Sequence, residues 1–285
     1  MGYLYDIISR FLNHLTSGVS GQQNFQQAGI FLLSLPVAYS FSAYSSTILN
    51  KKFGVEIYSA IMLGIILSFF LGMIFSYLYN KVSKDSFTVL SLSSILAFDA
   101  FVRSFDSLTG GVLGISGVIR PQLFRTIQDL ILLSLIISIG ALCFHFIIQK
   151  SPMGRKIRAL KEHPNVLETL GSSKKTTATF VISSGFLLAS LSGILDIYRI
   201  QFLDPSFGGI PNLIILLSIS ILAYKPQVKS LILATAFVIC IPELIKFLNF
   251  PSALLGHLRT LTYSTLLITL LFKLSNQETS IKRET

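Results

Sequence analysis

A chain of 285 residues that is 52% hydrophobic and only 13% charged, with a mean hydropathy of +0.69, is too apolar to clothe itself in a soluble surface. Its Lys, Arg, Asp and Glu gather in short islands between long apolar runs, the pattern of loops that join membrane spans. The net charge of +10 does not indicate nucleic acid, because the basic residues form no aromatic-interleaved stripe and mostly flank the apolar runs.

From Tyr3 to Leu15, apolar residues at helical spacing face Asp6, Arg10 and Asn13, which predicts an amphipathic interfacial helix or a short first helix. Asp6 and Arg10 interrupt the apolar stretch and no basic segment precedes it, so a cleavable signal peptide is not expected; Asp6 also stands where a myristoylation motif needs Ser or Thr. Full apolar runs follow at about 28–49, 55–79, 86–104, 127–149, 177–198, 211–224, 228–248 and 260–274. The sixth falls short of the ~20 residues that a crossing needs, so it is expected to tilt, break or borrow length from its flanks. The fold expected is all-α: a polytopic transmembrane helix bundle of roughly eight spans plus the amphipathic N-terminal helix, with residues 1–285 forming a single membrane domain.

Orientation follows from the longest basic island, Lys150 to Lys175, which the positive-inside rule assigns to the cytoplasm. Alternation then puts Lys81, Lys84, Lys225, Lys229 and the tail with Lys273, Lys282 and Arg283 on the same side. Lys51, Lys52, Arg120, Arg125, Arg199 and Arg259 fall on the other. With no Trp in the chain, Tyr44, Tyr58, Tyr77, Tyr79 and Tyr198 take the interfacial aromatic positions. Cys143 and Cys240 lie inside apolar segments without metal or redox spacing and read as small buried hydrophobes.

Several segments could carry chemistry. Residues 108–117 hold Gly110, Gly111, Gly114 and Gly117 after Thr109, a stretch suited either to a re-entrant element beside a cavity or to an ordinary extramembrane loop. No Gly-Lys-Ser/Thr follows it, so it is no phosphate loop. Asp99 with Arg103, Glu243 with Lys246, and Asp196 with Arg199 are spaced to pair on one helix face; each could line a polar path or merely neutralise itself. His145 reads as a packed or hydrogen-bonding residue, and His14, His163 and His257 as loop or interface residues. Metal-ligand spacing and catalytic motifs are absent, which weighs against a polytopic membrane enzyme. A self-contained secondary transporter is a further reading.

In the island 150–175, Asn165 after Pro164 can cap a short helix whose Val166, Leu167 and Leu170 form an apolar ridge before Gly171 stops it. Such a helix outside the bilayer is expected to plug a groove on a partner.

The same island resembles the cytoplasmic loop of the permease subunits of branched-chain amino-acid ABC importers, a family that also includes urea and amide importers. Ser151, Pro152, Gly154, Arg155, Arg158, Ala159, Glu162, Leu170 and Gly171 fall in register with the family pattern, with Lys161 in place of Arg. Thr109, Gly110, Gly111, Gly114 and Gly117 are similar to its Thr-Gly-Gly segment. Ala189 to Leu195 and Pro205-Ser206-Phe207 are similar to its next helix and external turn. The chain departs from the pattern at Gln22-Gln23-Asn24-Phe25 and at Ala223-Tyr224-Lys225-Pro226, where small residues are lost and helices are expected to approach less closely.

The resemblance implies a translocation subunit in a bacterial inner membrane with no cofactor of its own, ATP being used by separate cytoplasmic ATPase subunits. It implies a second permease subunit and an extracytoplasmic solute-binding protein as partners. The loop 150–176 would couple to the ATPase through Gly154, Arg155, Arg158, Ala159, Glu162, Val166, Leu167, Leu170 and Gly171. The glycine segment from Thr109 to Gly117 would lie on the translocation pathway.

Overall fold

The computed structural model describes residues 2–162, 164–169, 171–224 and 227–244, together with Leu258, Leu261, Thr262, Ser264, Thr265, Ile268 and Thr269. Helix α1 (Gly2–Gly21) runs directly into a π-helical segment, Gln22–Gln27. There follow α2 (Leu35–Lys51), α3 (Ile57–Tyr79), α4 (Lys84–Ser104), the short α5 (Asp106–Thr109) and α6 (Ile127–Lys150). After them come α7 (Pro152–Glu162), α8 (Pro164–Thr169), α9 (Lys174–Ile200), α10 (Ile210–Leu222) and α11 (Val228–Leu244). Two-residue strands β1 (Ile115–Ser116) and β2 (Phe202–Leu203) pair antiparallel, with Ile115 opposite Leu203.

Five helices among the described residues are long and apolar enough to cross a membrane: α3, α4, α6, α9, and α10 taken with the 3-10 turn before it, 18 residues over Pro205–Leu222. That turn supplies the flank the short sixth run needed. The chain is thus a multi-pass membrane protein, with five such spans where roughly eight were expected; most of 260–274 lies outside the described residues.

The amino-terminal helix differs most from expectation. It is a buried strut of the bundle, packed against α6, α9 and α11, with Leu12, Leu15 and Val19 in the interior. Neighbouring helices bond to its backbone and side chains: Ser138 Oγ donates to Leu12 O at 2.8 Å, Ser192 Oγ donates to Asn13 O at 2.7 Å, and Thr16 Oγ1 lies 3.1 Å from Ser138 Oγ. Small hydroxyl and amide groups of this kind glue helices together where lipid gives no hydrophobic drive for association.

The peripheral helices are built inside-out. α3 buries Ala60, Gly64, Ser68 and Gly72 at four-residue intervals and exposes Met62, Phe70 and Ile74. Small residues let backbones approach, so Ser68 Oγ reaches Ala38 O on α2 at 3.3 Å, while bulky apolar side chains point away from the bundle. Cys143 and Cys240 are exposed on this apolar exterior, not buried as expected. Central α9 packs against α1, α2 and α3, and Phe186 on it meets Phe75 with ring centroids 5.2 Å apart.

Lys161 in the basic island donates to Gln26 O at 2.8 Å, whereas Asp6 near the start of α1 pairs with Arg199 near the end of α9. α1 therefore spans from the face carrying residues 105–125 to the face carrying the island. With Cys143 and Cys240 replaced, cysteines at Gly2 and Ser116 are expected to react with an impermeant thiol reagent from one side, and a cysteine at Lys175 from the other. Labelling of Gly2 and Lys175 from the same side would overturn this topology.

Candidate functional site

A chain of buried and half-buried ion pairs closes the end of the bundle opposite the island. Asp196 Oδ1 accepts from Arg199 Nε at 2.6 Å and from Asn13 Nδ2 at 3.3 Å, while the Tyr39 hydroxyl donates to Oδ2. Arg199 Nη1 continues to Asp6 Oδ1 at 2.5 Å, Asp6 Oδ2 to Arg10 Nη2 at 2.9 Å, and Arg10 Nη1 to Glu243 Oε1 at 2.8 Å. Tyr3 OH donates to Glu243 Oε2 at 2.5 Å. The chain joins α1, α2, α9 and α11, and each desolvated charge it contains has an opposite charge beside it, the condition for burying ions without a large penalty.

Gly193 makes this possible: a side chain there would collide with the Tyr39 carbonyl, so only glycine lets α2 lie close enough for Tyr39 to reach Asp196. Glu243 pairs across the bundle with α1; Lys246, the local partner expected for it, lies outside the described residues. Asp99 and Arg103 do pair locally, at 2.8 Å on an exposed face.

Beside the network opens a cavity of about 340 Å³. Its closed end is formed by His14, Tyr39 and Asp196, all buried, and its mouth by exposed Asp204 and Ser206. Ile200, Phe207 and Ile215 supply apolar wall and Asn212 a polar one. His14, expected in a loop or interface, is 8% exposed and faces the cavity.

The glycine segment lies outside this cavity. Gly110, Gly111, Gly114 and Gly117 all adopt left-handed conformations, and a side chain at Gly114 would strike Leu203 O, so the segment folds flat onto β2. Thr109 is buried and its hydroxyl lies 2.5 Å from Val102 O. Lys51 and Lys52 at the end of α2 donate to the carbonyls of Ser116 and Ser107. The segment forms a cap over the residues 202–209 that border the cavity.

At the opposite face, α7 turns its apolar side inward. Ile157 and Leu160 are buried, Gly154 is buried at the corner with α6, and Ala159 packs partly against the core. Arg155, Arg158 and Glu162 are exposed, as is Gly171, which takes the left-handed conformation of a helix stop. Leu167 is 3% exposed and belongs to the same core cluster, so its side chain points into the chain's own helices and not outward as the ridge reading expected. The side chains of Val166 and Leu170 lie outside the described residues.

Lys161 ties α7 to the π-helical segment, whose carbonyls at its end lack partners within the helix. That segment carries amides deep into the bundle: Gln23 Nε2 donates to Ser184 Oγ at 2.9 Å, Gln26 Nε2 to Ser220 O at 3.1 Å, and Gln22 Nε2 to Ala223 O at 3.0 Å. His145 lies 2.6 Å from Gln149 and 3.5 Å from Gln27. The two stretches that depart from the family pattern thus meet each other, and amide hydrogen bonds stand where close helix approach was expected to be lost.

Sequence reasoning missed Tyr39, Asn13, Asp6 and Arg10 as network members. For Arg10 and Asn13 the visible signal was the Ser/Thr/Asn content of residues 9–21, unlike the Lys/Arg-rich polar face of a helix lying on a membrane.

The family described as branched-chain amino acid transport system, permease component, matches residues 6–275. The high-affinity branched-chain amino acid transport system permease protein LivM of Salmonella typhimurium, and that of Escherichia coli, are each 23% identical over 265 residues. Each alignment covers 82% of this chain and 62% of the relative, so the chain spans less than two thirds of their length. Among solved structures, PsaBC from Streptococcus pneumoniae in complex with Fab is similar at a TM-score of 0.49 and 11% identity, covering 94% of this chain and 90% of that one.

Proposed function

This chain belongs to the family of permease components of branched-chain amino acid transport systems, and from that premise we propose that it forms part of the translocation pathway of an ABC importer in a bacterial inner membrane. The match over residues 6–275 carries this reading. The solute is a branched-chain amino acid or a similar small polar molecule, delivered by an extracytoplasmic binding protein. A second permease subunit completes the pathway, and cytoplasmic ATPase subunits hydrolyse the ATP; this chain performs no covalent chemistry.

Coupling runs through the loop 150–176. The exposed charges of α7, Arg155, Arg158 and Glu162, face the ATPase, whereas Leu167, Ile157 and Leu160 anchor the loop to the bundle. When ATP closes the ATPase pair, α7 moves, and Lys161 passes that motion to the carbonyl of Gln26. The π-helical segment transmits it to α9 and α10 through Ser184, Ser220 and Ala223. π-helical turns are rare and recur at functional sites.

The test is reconstitution of the chain with its ATPase, second permease and binding protein in vesicles. ATP-dependent uptake of a branched-chain amino acid is expected. Lys161→Met is expected to keep the complex assembled and hydrolysing ATP while lowering solute moved per ATP by about 2- to 30-fold, the range of a coupling residue that touches neither ligand. Unchanged transport per ATP in Lys161→Met would show that coupling takes another route.

A further inference from the structure

We infer that the cavity beside Asp196 is a docking station for the transported solute, built for a small zwitterion with an aliphatic tail; this rests on the importer reading. Three features point there. The first is the carboxylate of Asp196, held by Arg199 and Asn13 on Oδ1 and by Tyr39 on Oδ2. A carboxylate offers about four acceptor positions, so one on Oδ2 stays available to an ammonium group. Asp204 at the mouth attracts an ammonium group less, because it is exposed to water that screens its charge, and its two oxygens also cap Ser206, accepting from the backbone amide at 3.1 Å and the hydroxyl at 2.8 Å.

The second feature is a pair of idle donors. The His14 ring, more than nine-tenths buried and facing the cavity, makes no hydrogen bond among the described residues, and neither does the side-chain amide of Asn212, which is half-buried in the wall. A buried polar group without a partner costs free energy that a ligand can recover, and two N–H groups suit a carboxylate. The third is the apolar wall of Ile200, Phe207 and Ile215, which gives an aliphatic chain a place out of water. The volume, about 340 Å³, is at the small end for ligand sites and suits a molecule of amino-acid size.

The experiment is saturation-transfer NMR on the purified full chain with L-leucine as probe, and with leucinamide, which lacks the carboxylate, and acetamide as comparators. Transfer to the leucine methyls is expected. His14→Ala and Asn212→Ala should each weaken leucine about tenfold, the loss of one charge-assisted hydrogen bond, while leaving the weaker leucinamide unchanged. Leucine binding undiminished in both variants, or acetamide competing as well as leucine, overturns the station. ATP-driven leucine uptake by the complete importer, with no transfer to leucine on the free chain, overturns the station but leaves the importer reading intact. A complete complex without ATP-dependent uptake of any amino acid overturns the importer reading itself.

Discussion

Arg199→Met is expected to destabilise the chain by about 3–5 kcal/mol, the cost of leaving a buried charge without its partner. Arg199 is one-tenth exposed and is the cation between two carboxylates, Asp196 and Asp6. Removing it strands Asp196 among Tyr39 and Asn13, with no other cation bonded to it among the described residues. Asp6 still has Arg10 at 2.9 Å, so the damage centres on Asp196. The check is the melting temperature of the detergent-solubilised chain. Arg199→Met combined with Asp196→Leu should recover most of the loss, because replacing both members of a buried pair by apolar groups is often neutral. If the docking station is correct, that recovered double variant stays inactive in uptake. A single variant that melts with the parent would show that the network contributes no stability.

Leu167→Asp is the second large effect, and the structure changes what it means. Leu167 belongs to the same buried apolar cluster as Ile157 and Leu160 in the interior of the chain. Aspartate there loses the ~2–5 kcal/mol expected for truncating a buried leucine and adds a charge with no partner. The docking of α7 and α8 onto the bundle should therefore fail in the isolated chain, before any ATPase is present. Trypsin reads this directly, since Lys156, Arg158 and Lys161 stand on α7. Rapid cleavage of the partner-free Leu167→Asp chain is expected, with loss of ATPase co-purification as the downstream result. A partner-free variant as resistant as the parent would place Leu167 on the outer surface after all.

Much of the bundle was legible. The runs 55–79, 86–104 and 127–149 match α3, α4 and α6 to within two residues at each end, because an uninterrupted apolar stretch has one low-energy state in lipid. The first helix was not legible for the complementary reason. A polar face on a helix means solvent in a soluble protein, but Ser9, Asn13, Thr16 and Ser20 are buried against other helices. Hydropathy counts such residues as wet wherever they end up.

At the site, Asp196 with Arg199 could be read from their spacing, whereas Glu243 with Arg10 could not. A partner three residues away is visible in a sequence; one on another helix depends on a fold not yet known. Leu167 was legible as apolar and helical, but apolarity does not say which neighbour it faces.

The hydrogen bond from Gln22 to Ala223 has a practical consequence for anyone recombining this chain with its relatives. The amide of residue 22 and the carbonyl of residue 223 act as two halves of one joint, separated by most of the chain. A chimera whose first half comes from a relative with a small residue at position 22 would leave that carbonyl facing a gap in the interior. Crossover points must therefore keep the stretches around residues 22–25 and 223–226 from the same parent, however well each half folds by itself.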